Sequence, residues 1–136
     1  MSSRMNVQTV AGIALTYFVV VVLLLDAVMQ FVLPPPLRQA MEQTGFDPST
    51  GPQLAVVMLV CAITLAIPST SALGAILTTA FLGGAIAVHV RIGEIVTGSQ
   101  IFCVLLGAAA WGGVYLRNER VRQVLPIRRS AAAVRA

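Results

Sequence analysis

Few polar side chains in this sequence could do chemistry, and they stand near the ends of long apolar stretches. Asp26 lies well inside the first stretch, and Gln30 follows one helical turn later on the same helix face. A carboxylate inside a membrane span costs at least ~2.5 kcal/mol on insertion scales, so it normally faces a bundle interior or a hydrated cavity. His89, Arg91 and Glu94 come at the end of the third stretch, where an imidazole near a carboxylate could relay protons or hydrogen-bond a quinone carbonyl.

Asp26 and His89 are expected at the same height, because the first and third stretches cross the membrane in the same direction. Both residues lie about 27–29 Å along their stretches at a rise of ~1.5 Å per residue. We therefore predict that Asp26 and His89 face one shared polar pocket, bordered by Gln30, Arg91 and Glu94. This pocket is either a structural polar network or a site for a ligand or a proton.

The sequence contains no recognisable catalytic motif. The nucleophile-elbow, zinc-protease, phosphate-loop and dinucleotide-binding patterns do not occur. One histidine with one or two carboxylates is too few for a metal site, and bis-histidine haem ligation needs a second histidine. We expect no catalytic residue and no metal, and quinone is the one cofactor that the polar residues suggest.

The apolar stretches define the fold class. They cover residues 7–33, 53–67, 71–90 and 101–116. A hydrocarbon core about 30 Å thick needs ~20 helical residues, and these stretches approach that length. The chain is 57% hydrophobic and 10% charged, whereas a soluble domain carries about 25% charged residues. We predict an all-α integral membrane four-helix bundle that forms a single domain over residues 1–136.

A short amphipathic helix is expected between the first and second stretches. The proline run at residues 34–36 cannot continue the first helix. Apolar residues then recur at helical spacing as far as Gly45, and glycine at such a position commonly ends a helix. We predict a helix over residues 36–44 that lies on the membrane surface and does not form a fifth span.

Arginine placement predicts the orientation. All nine basic residues are arginine, and most of them follow the fourth stretch. Because cytoplasmic segments carry the excess of basic residues, both termini are placed in the cytoplasm, with residues 117–136 as a basic cytoplasmic tail. We expect a multi-pass protein of the bacterial inner membrane, whose partner is the lipid bilayer and not nucleic acid.

Small residues at a spacing of four predict where the helices pack most closely. In lipid, such residues let two helix backbones approach each other. They occur in the third and fourth stretches, so we predict a tight seam between those two spans. The residues concerned are Gly74, Thr78, Gly83, Gly84, Gly112 and Gly113.

Three segments resemble the DoxX-like family of small four-span bacterial membrane proteins. They read LLLDAVMQFVLPPP, IPSTSALGAILTTAFLGGAIAVHVRIGE and WGGVYLRNERVRQVLP, and the likeness extends from about Leu23 to Pro126. The sequence departs from the family pattern at Gln30, where lysine is common, and at Val88, where threonine is common. The resemblance implies a membrane four-helix bundle and a link to quinone-dependent redox complexes or to receptor assembly.

Two functions follow as hypotheses. The first is an accessory subunit of a quinone-linked membrane redox system, with quinone near Asp26, His89 and Arg91. The second is a non-catalytic protein that assembles or scaffolds a partner membrane protein, or a homo-oligomer, through its small-residue helix faces. A quinone that copurifies with the chain would favour the first hypothesis, and a stoichiometric membrane partner without a cofactor would favour the second.

Overall fold

The computed structural model describes residues 6–125, and these residues form helices with short connections. The long helices are α1 (Val7–Val32), α3 (Gly51–Ala66), α4 (Ser71–Arg91) and α5 (Gly98–Arg117). The short helices are α2 (Pro35–Gln43), a 3-10 turn (Pro48–Thr50) and α6 (Glu119–Val124). Residues 6–125 contain no strand. The prediction of an all-α bundle with a short helix after the first span is confirmed.

The helix ends follow local chemistry. Asn6 caps α1 by accepting a hydrogen bond from the Gln8 backbone N at 3.4 Å. Leu33 closes α1 in a left-handed conformation with φ 48°, just before the proline run. Proline is suited to the first helical turn because its missing N–H would have no partner there, so the same run that ends α1 begins α2 at Pro35. Gly45, with φ 79°, follows the end of α2.

The four long helices form a ring in which each helix packs against two others. α1 packs chiefly against α3 and α5, and α4 packs chiefly against the same two helices. α1 and α4 therefore occupy diagonal corners of the bundle. We call the end that holds the start of α1, the α3–α4 connection and α6 the termini end. The opposite end, which holds α2 and the α4–α5 connection, is the loop end.

The surface of the bundle is apolar. All four long helical segments are long and apolar enough to cross a membrane. Large apolar side chains such as Phe18 (56% exposed), Leu105 (63%) and Val104 (60%) point outward. Only a hydrocarbon environment removes so much apolar surface from water, so the chain is a multi-pass membrane protein.

The predicted tight seam between α4 and α5 is wrong. Gly83 and Gly84 are exposed, and nothing would meet a Cβ added at either position. Gly74 instead abuts the backbone of Leu65 in α3. Gly113 abuts Gly12 of α1, where a Cβ would lie 3.1 Å from the Gly12 carbonyl oxygen.

The remaining two residues of that predicted set are less decisive. Thr78 is buried on α4, and a Cβ at Gly112 would make only ordinary contact with Leu15 of α1, at 3.8 Å. The close approaches therefore join α3 to α4 and α1 to α5. The physical reason is that a spacing of four marks a face on which close approach is allowed, but it does not name the helix that fills it.

The segment predicted as a basic tail is partly helical. Arg117 is the last residue of α5, and α6 follows after Asn118, whose side chain accepts hydrogen bonds from the Arg120 and Val121 backbone N atoms. The rest of the predicted tail, from residue 126 onward, lies outside the described residues.

Candidate functional site

Asp26 lies on the outer surface of the bundle, and the expectation that it faces the interior is wrong. The buried stripe of α1 includes Leu23, Ala27 and Gln30, whereas Asp26 is exposed. Successive residues of an α-helix are rotated by about 100°, so Asp26 stands at the edge of the stripe that Ala27 occupies. Among residues 6–125, Asp26 has no ion-pair partner.

Gln30 is buried, whereas Asp26, one helical turn earlier, is exposed. It is 7% exposed and lies at the α1–α3 interface, where a Cβ added to Gly51 would meet its backbone oxygen at 2.8 Å. The Gln30 Oε1 atom is buried and has no hydrogen-bond partner among the described residues. Gln30 therefore packs against the start of α3 and is not hydrogen-bonded to Asp26.

His89 and Glu94 are brought together at the loop end. The His89 Nδ1 and a Glu94 carboxylate oxygen are 2.5 Å apart, with the side chains 26% and 45% exposed. The Glu94 backbone oxygen also accepts a hydrogen bond from Gln100 Nε2 at 2.9 Å. Gln100 Oε1 accepts in turn from the Thr97 backbone N at 3.0 Å. These contacts fix the α4–α5 connection.

Gln100 was not among the residues predicted from the sequence, although the sequence does contain a pattern that indicates its role as a helix cap. Thr97 and Gln100 have the spacing of a capping box, in which the third helical residue reaches back to the N-cap backbone. Gln100 is 7% exposed, so its amide is largely withdrawn from solvent. This buried amide links the start of α5 to the Glu94 loop.

Arg91 makes a separate contact. Its Nη2 donates to the Thr44 backbone oxygen at 3.0 Å, just after α2. Arg91 thus connects the end of α4 to the end of α2, away from the His89 imidazole. For the predicted pocket shared by Asp26 and His89, the described residues show no hydrogen bond or ion pair between the two. Asp26 is exposed on α1, and His89 on α4 is bonded to Glu94.

Asp47 caps the 3-10 turn at the loop end. The Ser49 backbone N donates to Asp47 Oδ1 at 2.8 Å. This hydrogen bond, with a further contribution from the Ser49 side chain and from Arg38, lowers the pKa of the Asp47 carboxyl from its ordinary value. The carboxylate is fully solvent-exposed, so it acts as a local cap and not as a reactive group.

The termini end holds a second group of polar contacts. Arg117 Nη2 donates to the Leu65 backbone oxygen at 2.8 Å, in the last turn of α3. Trp111 Nε1 donates to Thr79 Oγ1 at 2.9 Å and joins α5 to α4. From the sequence alone, Arg117 was predicted as the first residue of a basic cytoplasmic tail. An arginine at the end of an apolar stretch is, however, also the position from which a long side chain reaches across to a neighbouring carbonyl.

Comparison with known protein families identifies a family that covers most of the chain. A model of the DoxX-like family matches residues 14–113, which include the four long helices almost entirely. No curated protein and no solved structure matches the chain.

Proposed function

We propose that this chain, which belongs to the DoxX-like family, is a non-catalytic membrane protein that assembles with a partner membrane protein through the outer face of α1. The observation that carries the proposal is the exposed Asp26 carboxyl on a membrane-spanning helix. This role is the assembly function that the sequence left as an alternative.

An exposed carboxyl in this position needs a partner. Asp26 lies six residues before the end of α1, so it is about 9 Å from the helix end at ~1.5 Å per residue. Carboxylates within spans are normally paired, because contact with lipid leaves their hydrogen-bonding groups unsatisfied. A transmembrane helix that presents Arg, Lys or His at this depth would satisfy the carboxylate.

Apolar residues beside Asp26 supply a surface for such a helix. Phe18, Leu25 and Met29 are 56%, 62% and 47% exposed. Together with Val22 they repeat at alternating intervals of four and three residues, which is the spacing of a helix–helix seam. We call Phe18, Val22, Leu25, Asp26 and Met29 the Asp26 face.

The quinone-linked redox role is less well supported. That role required Asp26, His89 and Arg91 around one ligand, but His89 is bonded to Glu94 and Arg91 to the Thr44 carbonyl. A redox complex remains one class of partner that the Asp26 face could bind. Quinone would then belong to the assembled complex.

Photocrosslinking in native membranes tests the assembly role. A photoreactive amino acid is placed at Met29 on the Asp26 face, or at Ile76, which is 53% exposed on α4, as the control position. We expect one discrete adduct from position 29 and only lipid adducts from position 76. Sequencing of the crosslinked span in the partner should reveal a basic side chain.

The chemistry is tested by removing the charge. Asp26→Asn should lower the yield of the adduct at least fivefold, while Glu42→Gln, the same change on exposed α2, should leave it unchanged. Absence of a discrete adduct from position 29, or equal effects of the two variants, would refute the assembly role. An adduct of two copies of this chain would show that the partner is a second copy and that the chain forms a homo-oligomer. A quinone that copurifies and is lost in His89→Ala would support the redox role instead.

Location in the bacterial inner membrane with both termini in the cytoplasm is part of the same proposal. Its support is the positive-inside rule applied to the arginines that follow the fourth span. Arg117, Arg120 and Arg122 lie together at the termini end, whereas the loop end carries Arg38 and Arg91.

A further inference from the structure

A cleft of about 1050 Å³ opens at the termini end of the bundle. The start of α1, the α3–α4 connection, the last turns of α5 and one face of α6 surround it. It lies where the four spans end, which is the depth of lipid headgroups. The residues on which the inference rests are Ser69, Ser71, Trp111, Arg117, Arg120 and Val124.

Two arginines, Arg117 and Arg120, give the lining of the cleft a positive charge. Arg117 uses its Nη2 for the Leu65 carbonyl, while its Nε is buried and has no hydrogen-bond partner among residues 6–125. Arg120 has no ion-pair partner within the described part of the chain. Glu119 also lines the cleft, but it is paired with Arg122 at 3.5 Å. The arginines therefore leave positive charge for an anion.

The α3–α4 connection adds hydrogen-bond donors to the lining of the cleft. The exposed Ser69 hydroxyl lines the cleft, as do Ser71 and Ala72 in the first turn of α4. Backbone N–H groups in a first helical turn have no acceptor within the helix. These donors supplement the guanidinium groups, which interact strongly with phosphate oxygens.

Apolar side chains also line the cleft. They are Ile13, Trp111, Val121 and Val124. Val124 is 78% exposed, which is costly in water but suited to a hydrocarbon chain. A ligand that matches both the arginines and the apolar lining must combine an anionic head with an apolar tail.

We propose that this cleft binds one anionic phospholipid, with its phosphate against Arg117 and Arg120 and an acyl chain against Trp111 and Val124. The occupant is a lipid and not a soluble anion, because a soluble anion would leave the apolar lining uncovered, including Val124, which is 78% exposed. This inference does not depend on the Asp26 face, which lies toward the opposite end of α1.

The single tryptophan of the chain makes the proposal measurable. Protein is reconstituted in phosphatidylcholine vesicles with increasing fractions of phosphatidylglycerol whose acyl chains are brominated. Bromine quenches Trp111 fluorescence on contact. We expect half-maximal quenching at a phosphatidylglycerol fraction about fivefold lower than for brominated phosphatidylcholine, since an arginine near an anionic surface contributes roughly 1 kcal/mol.

Two variants on one helix distinguish a bound lipid from general attraction to the membrane. Arg120→Gln should abolish the preference for phosphatidylglycerol, because Arg120 lines the cleft. Arg122→Gln removes the same charge two residues away but does not line the cleft, so it should retain the preference. Both variants also carry Glu119→Gln, because loss of Arg122 alone would leave the Glu119 carboxylate unpaired in the cleft. Neither guanidinium bonds to another helix in the described residues, so the bundle should fold in both variants.

Three results would overturn the proposal. Equal quenching by the two brominated lipids would show that the cleft has no headgroup preference. Equal losses in Arg120→Gln and Arg122→Gln would assign the preference to diffuse surface charge. The third result is displacement of the brominated phosphatidylglycerol by inorganic phosphate at constant ionic strength. If about 10 mM phosphate, on the order of the Kd of a weak anion site, displaced the lipid, the occupant would be a soluble phosphate.

Discussion

The closest backbone approach in the bundle predicts opposite effects for two glycine-to-alanine changes on the same helix. Gly74 and Gly83 are both in α4. A Cβ on Gly74 would lie 2.6 Å from the Thr64 carbonyl carbon and closer still to the Leu65 backbone. A Cβ on Gly83 would have nothing within 4 Å. The pair therefore separates packing from helix propensity.

The magnitude follows from these distances. Ordinary carbon contacts lie at about 3.5–4.0 Å, so Gly74→Ala must move α4 away from α3 by roughly 1 Å. No side-chain rotation can relieve the contact, because the opposing atoms belong to the backbone. Overpacking of this kind costs ~1–3 kcal/mol, and alanine regains ~0.5–1 kcal/mol of helix propensity. We expect a net loss of about 1–2 kcal/mol of unfolding free energy.

Gly83→Ala is the matched control. It adds the same methyl group and the same propensity without a packing cost, so the free energy of unfolding should stay constant or rise by up to ~1 kcal/mol. Thermal unfolding in dodecyl maltoside, followed by Trp111 fluorescence or by size-exclusion chromatography after heating, compares the two variants. Equal shifts, or a Gly74→Ala protein as stable as wild type, would show that α3 and α4 do not approach each other at Gly74.

Three other changes test two further contacts and the membrane orientation. Arg117→Gln removes the charged hydrogen bond to the Leu65 carbonyl and should lower the unfolding free energy by ~1–3 kcal/mol, measured by the same thermal assay; stability equal to wild type would show that this bond contributes nothing. Glu94→Gln should cost less than ~1 kcal/mol, because the pair with His89 is partly exposed and screened; a larger loss would show that the loop contact is coupled to the core. A cysteine introduced at position 130, in a chain without its two natural cysteines, should react with a membrane-impermeant maleimide only after the cells are opened, and labelling of intact cells would reverse the proposed orientation.

The four long helices and the short helix α2 could be predicted from the sequence because they depend on the solvent and on local signals, whereas α6 was not predicted. Long apolar stretches, a proline run and serine or threonine near helix starts constrain the backbone locally, whatever the helices pack against. The capping pair at Thr97 and Gln100 is of the same local kind. Such features need no knowledge of neighbouring helices.

The inward and outward faces of the helices could not be predicted in the same way. In water, the buried face of a helix is apolar and the exposed face is polar, but in lipid both faces are apolar. Leu23, which is 2% exposed, and Leu25, which is 62% exposed, have the same chemistry and opposite positions. Asp26 was assigned to the interior from the cost of a carboxylate in lipid, and that argument cannot distinguish the interior of this bundle from an interface with another protein.

This ambiguity bears directly on function. A polar group that is satisfied within the chain, as His89 and Glu94 satisfy each other at the partly exposed loop end, adds to the stability of one chain. A polar group left on the lipid-facing surface, as Asp26 is, must be satisfied by something outside the chain. The small bundle leaves little interior room for a ligand, because residues such as Thr16, Val19 and Ala110 fill its axis. The two recognition sites that we propose, the Asp26 face and the cleft beside Arg117, therefore both lie on its outer surfaces.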